Sequence, residues 1–267
     1  MKKIEYLIII VFTLFSFYYT EKIISAVKSK DPLMTVIEKE KKYLDIKPVN
    51  AIIKDDTIIL GKSGKIINEN ASYEKMKLLD TYNSDLLEYD SISPSITKDN
   101  NYEKSITGVI TENKELSLVF LLDDLSLYDE LTFVLDDTYA TIFIDGKYLE
   151  KIKKTSNISF GIYSYNDLFT TISTTHLKKV LSNYNSSNYC LYKDEEFLNV
   201  CKNLKINTIK PEIINNNVYK FFKDDKEIGK IYQVKVTKTN IKELASSIIY
   251  LKQKGYDIKP IAQLLEQ

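Results

Sequence analysis

Leu118-Val119-Phe120-Leu121-Leu122-Asp123-Asp124 is an unbroken apolar run closed by two carboxylates, and Ala140-Thr141-Ile142-Phe143-Ile144-Asp145-Gly146 repeats that form. A short continuous apolar run bounded by polar or turn residues is the pattern of a strand buried on both faces; a half-exposed strand would alternate. Tyr128 to Asp136, between the two runs, reads as a helix. Strand, helix and strand in succession make a crossover unit whose strands run parallel.

The alternation continues toward the C-terminus. Ile158 to Tyr163 reads as a third strand, His176 to Leu181 as a helix and Tyr189 to Leu191 as a short strand. Glu195 to Cys201 is expected to be helical, with strands near Ile206 to Ile209 and over Ile228 to Val236. Asn240 is expected to cap the next helix, with Glu243 three residues later completing a capping box. Ile241, Leu244, Ile248 and Leu251 give that helix one apolar face, Gly255 is placed to end it, and a last helix follows from Pro260 to Leu265. Such alternation over about 150 residues implies an α/β fold with a parallel sheet or a barrel.

The N-terminal side is built differently. Ala51-Ile52-Ile53 and Thr57-Ile58-Ile59-Leu60, separated by Lys54-Asp55-Asp56, form a hairpin signal. Gly61-Lys62-Ser63-Gly64-Lys65 is a turn; it has neither the spacing nor the strand-loop-helix frame of a phosphate-binding loop, so no nucleotide site is expected. A short helix is expected from Ser72 to about Thr81, and Ser91 to about Lys104 is polar and reads as a linker or a strand edge. Asp31-Pro32 reads as an N-cap followed by proline at the first helical position, opening a juxtamembrane stalk helix to about Leu44.

Lys2 and Lys3 precede an uncharged run from Tyr6 to Thr20. As a helix that run spans about 22 Å, against about 30 Å of bilayer hydrocarbon. Ile23 and Ile24 extend it past Glu21 and Lys22, and bulky residues stand where small ones would mark a cleavage site. The pattern favours an uncleaved signal anchor over a cleaved signal or a buried helix. The lysines then lie in the cytoplasm and the body lies outside the membrane.

Composition sets limits. The 267 residues carry 37 basic and 37 acidic side chains, a net charge of zero that argues against a nucleic-acid partner. Every basic residue is Lys, so no bidentate guanidinium clamp is available. There is one His, His176, and no Trp. The two cysteines, Cys190 and Cys201, lie in a body expected to be extracytoplasmic, where a disulfide can persist. They are either disulfide-bonded or a pair of buried thiols.

The strand pair resembles the polysaccharide deacetylases, the NodB-homology family. That family's first strand ends in Thr-Phe-Asp-Asp-Gly, where this chain has Phe120-Leu121-Leu122-Asp123-Asp124-Leu125. Its next strand reads Ala-Thr-Phe-Phe-Val-x-Gly with a Glu a few residues on, matched by Ala140 to Gly146 and Glu150. Its C-terminal Leu-Lys-x-x-Gly-Tyr and Leu-Leu are matched by Leu251-Lys252-Gln253-Lys254-Gly255-Tyr256 and Leu264-Leu265. The resemblance implies a distorted, incomplete (β/α) barrel. Together with the N-terminal reading, the expected division is an anchor helix over 1–27, a stalk helix and small α+β segment over 28–110, and a deacetylase-like domain over 111–267.

The resemblance also implies a chemistry, metal-assisted amide hydrolysis, whose parts are incomplete here. Asp123 matches the family's base and Asp124 its metal-binding Asp. Gly161 and Tyr165 stand at the positions of its His-x-x-x-His pair. No Arg stands near Tyr189 to Lys193, and no His near Tyr232 to Val236. With the histidines absent, no cofactor and no metal site is expected, and Asp123 and Asp124 are read as relics of the Asp pair. The leading expectation is a membrane-anchored, inactive deacetylase-like protein associated with cell-wall or surface glycan, with no residue yet assigned to that glycan. The alternatives are an active deacetylase with an atypical site at Asp123 and Asp124, and a protein-interaction scaffold in an envelope complex.

Overall fold

The computed structural model describes residues 2–145, 148, 151–152, 157–164, 189–203 and 205–266. Along the chain these form α1 (Lys2–Lys28), α2 (Pro32–Leu44), β1 (Ile52–Lys54), β2 (Thr57–Leu60), β3 (Gly64–Ile67), α3 (Glu69–Lys77) and β4 (Tyr89–Ile92). There follow β5 (Ser105–Val109), β6 (Glu115–Leu122), α4 (Tyr128–Val134), β7 (Ala140–Asp145), β8 (Ile158–Ser164) and β9 (Tyr189–Leu191). The chain closes with α5 (Glu195–Asn203), β10 (Asn207–Ile209), β11 (Glu212–Ile214), α6 (Val218–Asp224), β12 (Ile231–Lys235), α7 (Lys238–Gln253), β13 (Asp257–Ile258) and α8 (Ile261–Leu264). The helix expected at His176, and the matched positions Gly146, Glu150 and Tyr165, lie outside the described residues.

Two compact units result, one of Met1–Pro48 and Gly64–Ile92, the other of Val49–Ser63 and Ser93–Gln267. In the first, α1 is long and apolar enough to cross a membrane. Asp31 caps α2 as its sequence requires, its Oδ1 accepting from Leu33 N at 2.9 Å with Pro32 in the first turn. Leu33, Met34 and Ile37 of α2 are buried against Ile67, Tyr73, Met76 and Leu87. α3 starts at Glu69, three residues before the expected Ser72, because Asn68 Oδ1 accepts from Ala71 N at 2.9 Å and caps it. Gly64 and Lys65, expected in a turn, open β3, which pairs antiparallel with β4.

The second unit is built on two sheets. One has the order β11-β12-β6-β7-β8, all parallel, with β13 also pairing along the start of β6. The other has the order β1-β2-β5-β10-β9, with β1 and β2 forming the expected antiparallel hairpin and the remaining pairs parallel. β6 is buried on both faces, which is why it lacks alternation. Leu118, Phe120 and Leu122 pack with Leu131 of α4 and Leu244, Ile248 and Leu251 of α7. Val119, with Phe143 and Ile231, packs instead against Ile58, Leu60, Ile106, Leu191 and Ile209 of the second sheet. Beyond the two ladders, an isolated antiparallel bridge joins Gly108 to Lys230. Among the described residues no continuous ladder closes the sheets into a barrel, so the architecture is α/β and incompletely closed.

Other departures have local causes. Thr237, not Asn240, caps α7: its hydroxyl accepts from Asn240 N at 3.1 Å. Asn240 is buried inside the first turn, and its amide donates to Asn215 O at 2.9 Å and Lys235 O at 2.8 Å. A side chain tying two loop carbonyls to a helix mimics a cap in sequence, since both roles use a short polar residue. Gly255 ends α7 as expected, with φ +77°. β5, β11 and α6 carry no expectation from sequence; each is short, and β5 is broken by polar residues and Gly108. Cys190 of β9 and Cys201 in the last turn of α5 form a disulfide with Cα atoms 6.4 Å apart. α5 has nine residues, and Cys201 O also accepts from Ile206 N at 2.9 Å, so the chain turns back immediately after the crosslink.

Candidate functional site

Because β12, β6, β7 and β8 are parallel, their C-terminal ends share one edge, the edge where barrel chemistry is placed. Leu122 pairs with Ile144, so the Asp123-Asp124 pair leaves β6 beside Asp145, the last residue of β7. Asp123 and Asp124 are exposed, whereas Asp145 is buried at 5% exposure. Asp124 Oδ1 accepts from Ser126 N at 2.7 Å. Hydrogen bonds from the Ser126 hydroxyl and backbone hold the Asp124 carboxyl below the usual carboxylate range. Asp124 therefore shapes the turn that leads into α4, a common use of aspartate after a strand. Asp145 is a third carboxylate at this edge that motif reading passed over as part of a strand stop.

One strand further on, β8 offers no side chain at the position matched to the first His of the family. Gly161 pairs with Phe143, and the Phe143 ring lies over it. A Cβ at 161 would stand 2.5 Å from Phe143 Cδ1 and closer still to Cε1. Phe143 is fully buried and belongs to the core shared by the two sheets, with Val119, Leu191, Ile261 and Leu264. The polar groups nearby are spent on one another: Thr141 Oγ1 and Ser159 Oγ are 2.7 Å apart, both buried. Among the described residues, apolar side chains of both sheets pack against one another here.

The other segments matched to family motifs are structural here. Tyr189 OH accepts from Lys98 Nζ at 3.0 Å, and the same ammonium donates to Leu265 O at 2.8 Å, tying β9 to the C-terminus. Tyr192 OH donates to Glu195 Oε1 at 3.0 Å, which raises the phenol's pKa. Tyr232 points into the helix-facing core, edge-on to Phe221 and Phe222 at 5.4 and 5.5 Å between centroids. Its hydroxyl accepts from Glu227 N at 2.7 Å, and burial pushes its pKa up.

The most perturbed carboxyl among the described residues is one that sequence reading missed. Glu115 opens β6 with its side chain 3% exposed, and it accepts from Lys62 Nζ at 2.6 Å, Lys259 Nζ at 2.7 Å and Thr111 Oγ1 at 2.7 Å. Burial alone would raise its pKa; the hydrogen bonds from Lys259, Lys62 and Thr111 outweigh that and hold it at about 2. It stands at the opposite end of β6 from Asp123, about 25 Å along an extended strand. At that end it fastens the segments of Lys62, Thr111 and Lys259 together. An open groove of about 660 Å³ lies elsewhere again, between α6 and α7, lined by Tyr219, Glu243, Ile249 and Tyr250 among others.

No family model matches the chain, and no curated protein does. Solved structures do. The wild-type CE4 family pseudoenzyme from Bacillus anthracis is 21% identical, with a TM-score of 0.59 over 89% of this chain and 96% of its own. A mutant of that pseudoenzyme with restored enzymatic activity aligns with a TM-score of 0.59 at 21% identity, over 88% and 98% of the two chains. PdaA of Bacillus subtilis, a family 4 carbohydrate esterase, is 19% identical with a TM-score of 0.49 over 82% and 97%. The expectation that the chain takes no cofactor is corrected by this likeness, because CE4 proteins are typically metal-dependent deacetylases. Counting imidazoles does not exclude a metal, since hard divalent cations take oxygen ligands. Among the described residues no group of three or more His, Cys, Asp or Glu could hold an ion, and His176 and Tyr165 lie outside them. At these identities the likeness is one of fold: the chain carries the polysaccharide-deacetylase fold of the family 4 carbohydrate esterases and their pseudoenzymes.

Proposed function

We propose that the chain is a membrane-anchored, extracytoplasmic deacetylase-like protein that associates with envelope glycan without hydrolysing it. The observation that carries this reading is the Phe143 ring over Gly161: where the family resemblance calls for an imidazole, a core aromatic occupies the space any side chain would need. The Ser126 hydrogen bonds, which commit Asp124 to a turn, support it. The Cys190–Cys201 disulfide supports an extracytoplasmic body, since such bonds persist in oxidising compartments. The apolar α1 supports the anchor.

The test is acetate release from chitin oligomers and peptidoglycan fragments by the full chain in detergent, with and without added zinc. In parallel, retention of the chain on insoluble envelope glycan is measured. The expected result is retention without acetate release, since loss of one positioned acid or base costs about 10²–10⁴-fold in rate. Zinc-dependent release that Asp123→Asn abolishes overturns the reading, and so does failure to be retained.

A further inference from the structure

We propose that Leu78 and Leu79 enter the surface of the bilayer that holds α1, giving the first unit a second grip on the membrane beside its anchor. This rests on the anchor reading of α1 above. Leu78 is 88% exposed and Leu79 60%, an adjacent pair of large apolar side chains directly after α3. The turn that presents them is held: Lys77 Nζ pairs with Asp80 Oδ1 at 2.9 Å, and Asp80 takes a left-handed φ of 47°.

The position of this turn is fixed relative to α1. α2 and α3 lie antiparallel, with Lys41 Nζ pairing Glu69 Oε1 at 2.5 Å at one end. At the other end Lys77 Nζ pairs with Asp31 Oδ2 at 3.0 Å, and Tyr73 OH donates to the same oxygen at 2.8 Å. Lys28, the last residue of α1, pairs with Glu74 and places its ammonium 5.3 Å from the Tyr73 ring centroid. The C-terminal end of α3, and with it Leu78, is thus strapped to the exit of α1. α1 has 27 residues. The stretch of α1 long and apolar enough to span the hydrocarbon is Ile9–Lys28, so Lys28 stands at its edge. That is the level at which the apolar side of an interfacial segment meets headgroups and acyl chains. The occupant of the Leu78–Leu79 patch is therefore the lipid surface around the chain's own anchor.

The chain has no Trp, so one introduced Trp reports its own surroundings. The full chain carrying Leu78→Trp is reconstituted into phosphatidylcholine vesicles, with and without lipids brominated near the carbonyl end of the acyl chain. Tyr43→Trp serves as the reference: Tyr43 is 75% exposed and lies at the far end of α2 from Asp31. Supporting the proposal, Leu78→Trp emits at shorter wavelength and loses intensity with brominated lipid, while Tyr43→Trp does neither. Equal quenching of both, or no quenching of either in vesicles that carry the chain on flotation, overturns it. A shifted emission without quenching puts protein over the patch and also overturns it. Failure of the chain to float with vesicles overturns the anchor reading first, and this inference with it.

Discussion

Gly161 and Phe143 share one volume, and that makes them testable as a pair. Gly161→Ala forces a methyl into the buried ring and is expected to cost about 1–3 kcal/mol, the range for overpacking a filled core. Phe143→Leu vacates part of that volume, so the double variant should lose less than the sum of the singles. A coupling of about 0.5–3 kcal/mol in urea unfolding is expected, and strict additivity would contradict the contact. Glu115 gives a pH signature. Its folded pKa of about 2 lies below its ordinary 4.5, so its contribution is fully present above 4.5 and is lost as pH falls through 2. The contribution is at most about 3 kcal/mol, and Glu115→Gln should flatten the loss of stability between about pH 5 and pH 2. Sequence reading reached Gly161 but not what fills it, since that depends on the pairing of two strands. It passed over Glu115 because the partners Lys62 and Lys259 lie 53 and 144 residues away.

At the scale of elements, β6 and β7 were legible because burial on both faces leaves an uninterrupted apolar run. β5, β11 and α6 were not, because their polar residues and short lengths leave no period to read. The α7 start illustrates a local ambiguity: Thr237 and Asn240 both suit a cap, and only the fold assigns one to the helix end and the other to a buried bridge. Thr237→Ala is expected to cost about 1 kcal/mol in chemical denaturation, the ordinary loss for a cap. The crosslink between β9 and α5, across a sequence separation of 11, is expected to contribute on the order of 3 kcal/mol by the chain-entropy account. Reductant and Cys201→Ala should lower the urea midpoint alike, and thiol titration of the denatured, unreduced chain should find no free thiol.

At the scale of the whole molecule, the incomplete closure of the two sheets was reached only through motif resemblance; strand order is set by pairings far apart in sequence that no local pattern encodes. The anchor reading of α1 predicts that intact-mass measurement on the membrane fraction finds the N-terminus uncut; a mature start between Phe17 and Ser29 would instead mark a cleaved signal. The aromatic lid over Gly161 also bears on descent. A histidine at 161 cannot be accepted until Phe143 has first become smaller, and a smaller residue at 143 opens a void in the shared core before any catalytic gain appears. Each single step toward a histidine at 161 is therefore penalised by folding, so packing acts as an evolutionary ratchet on this position.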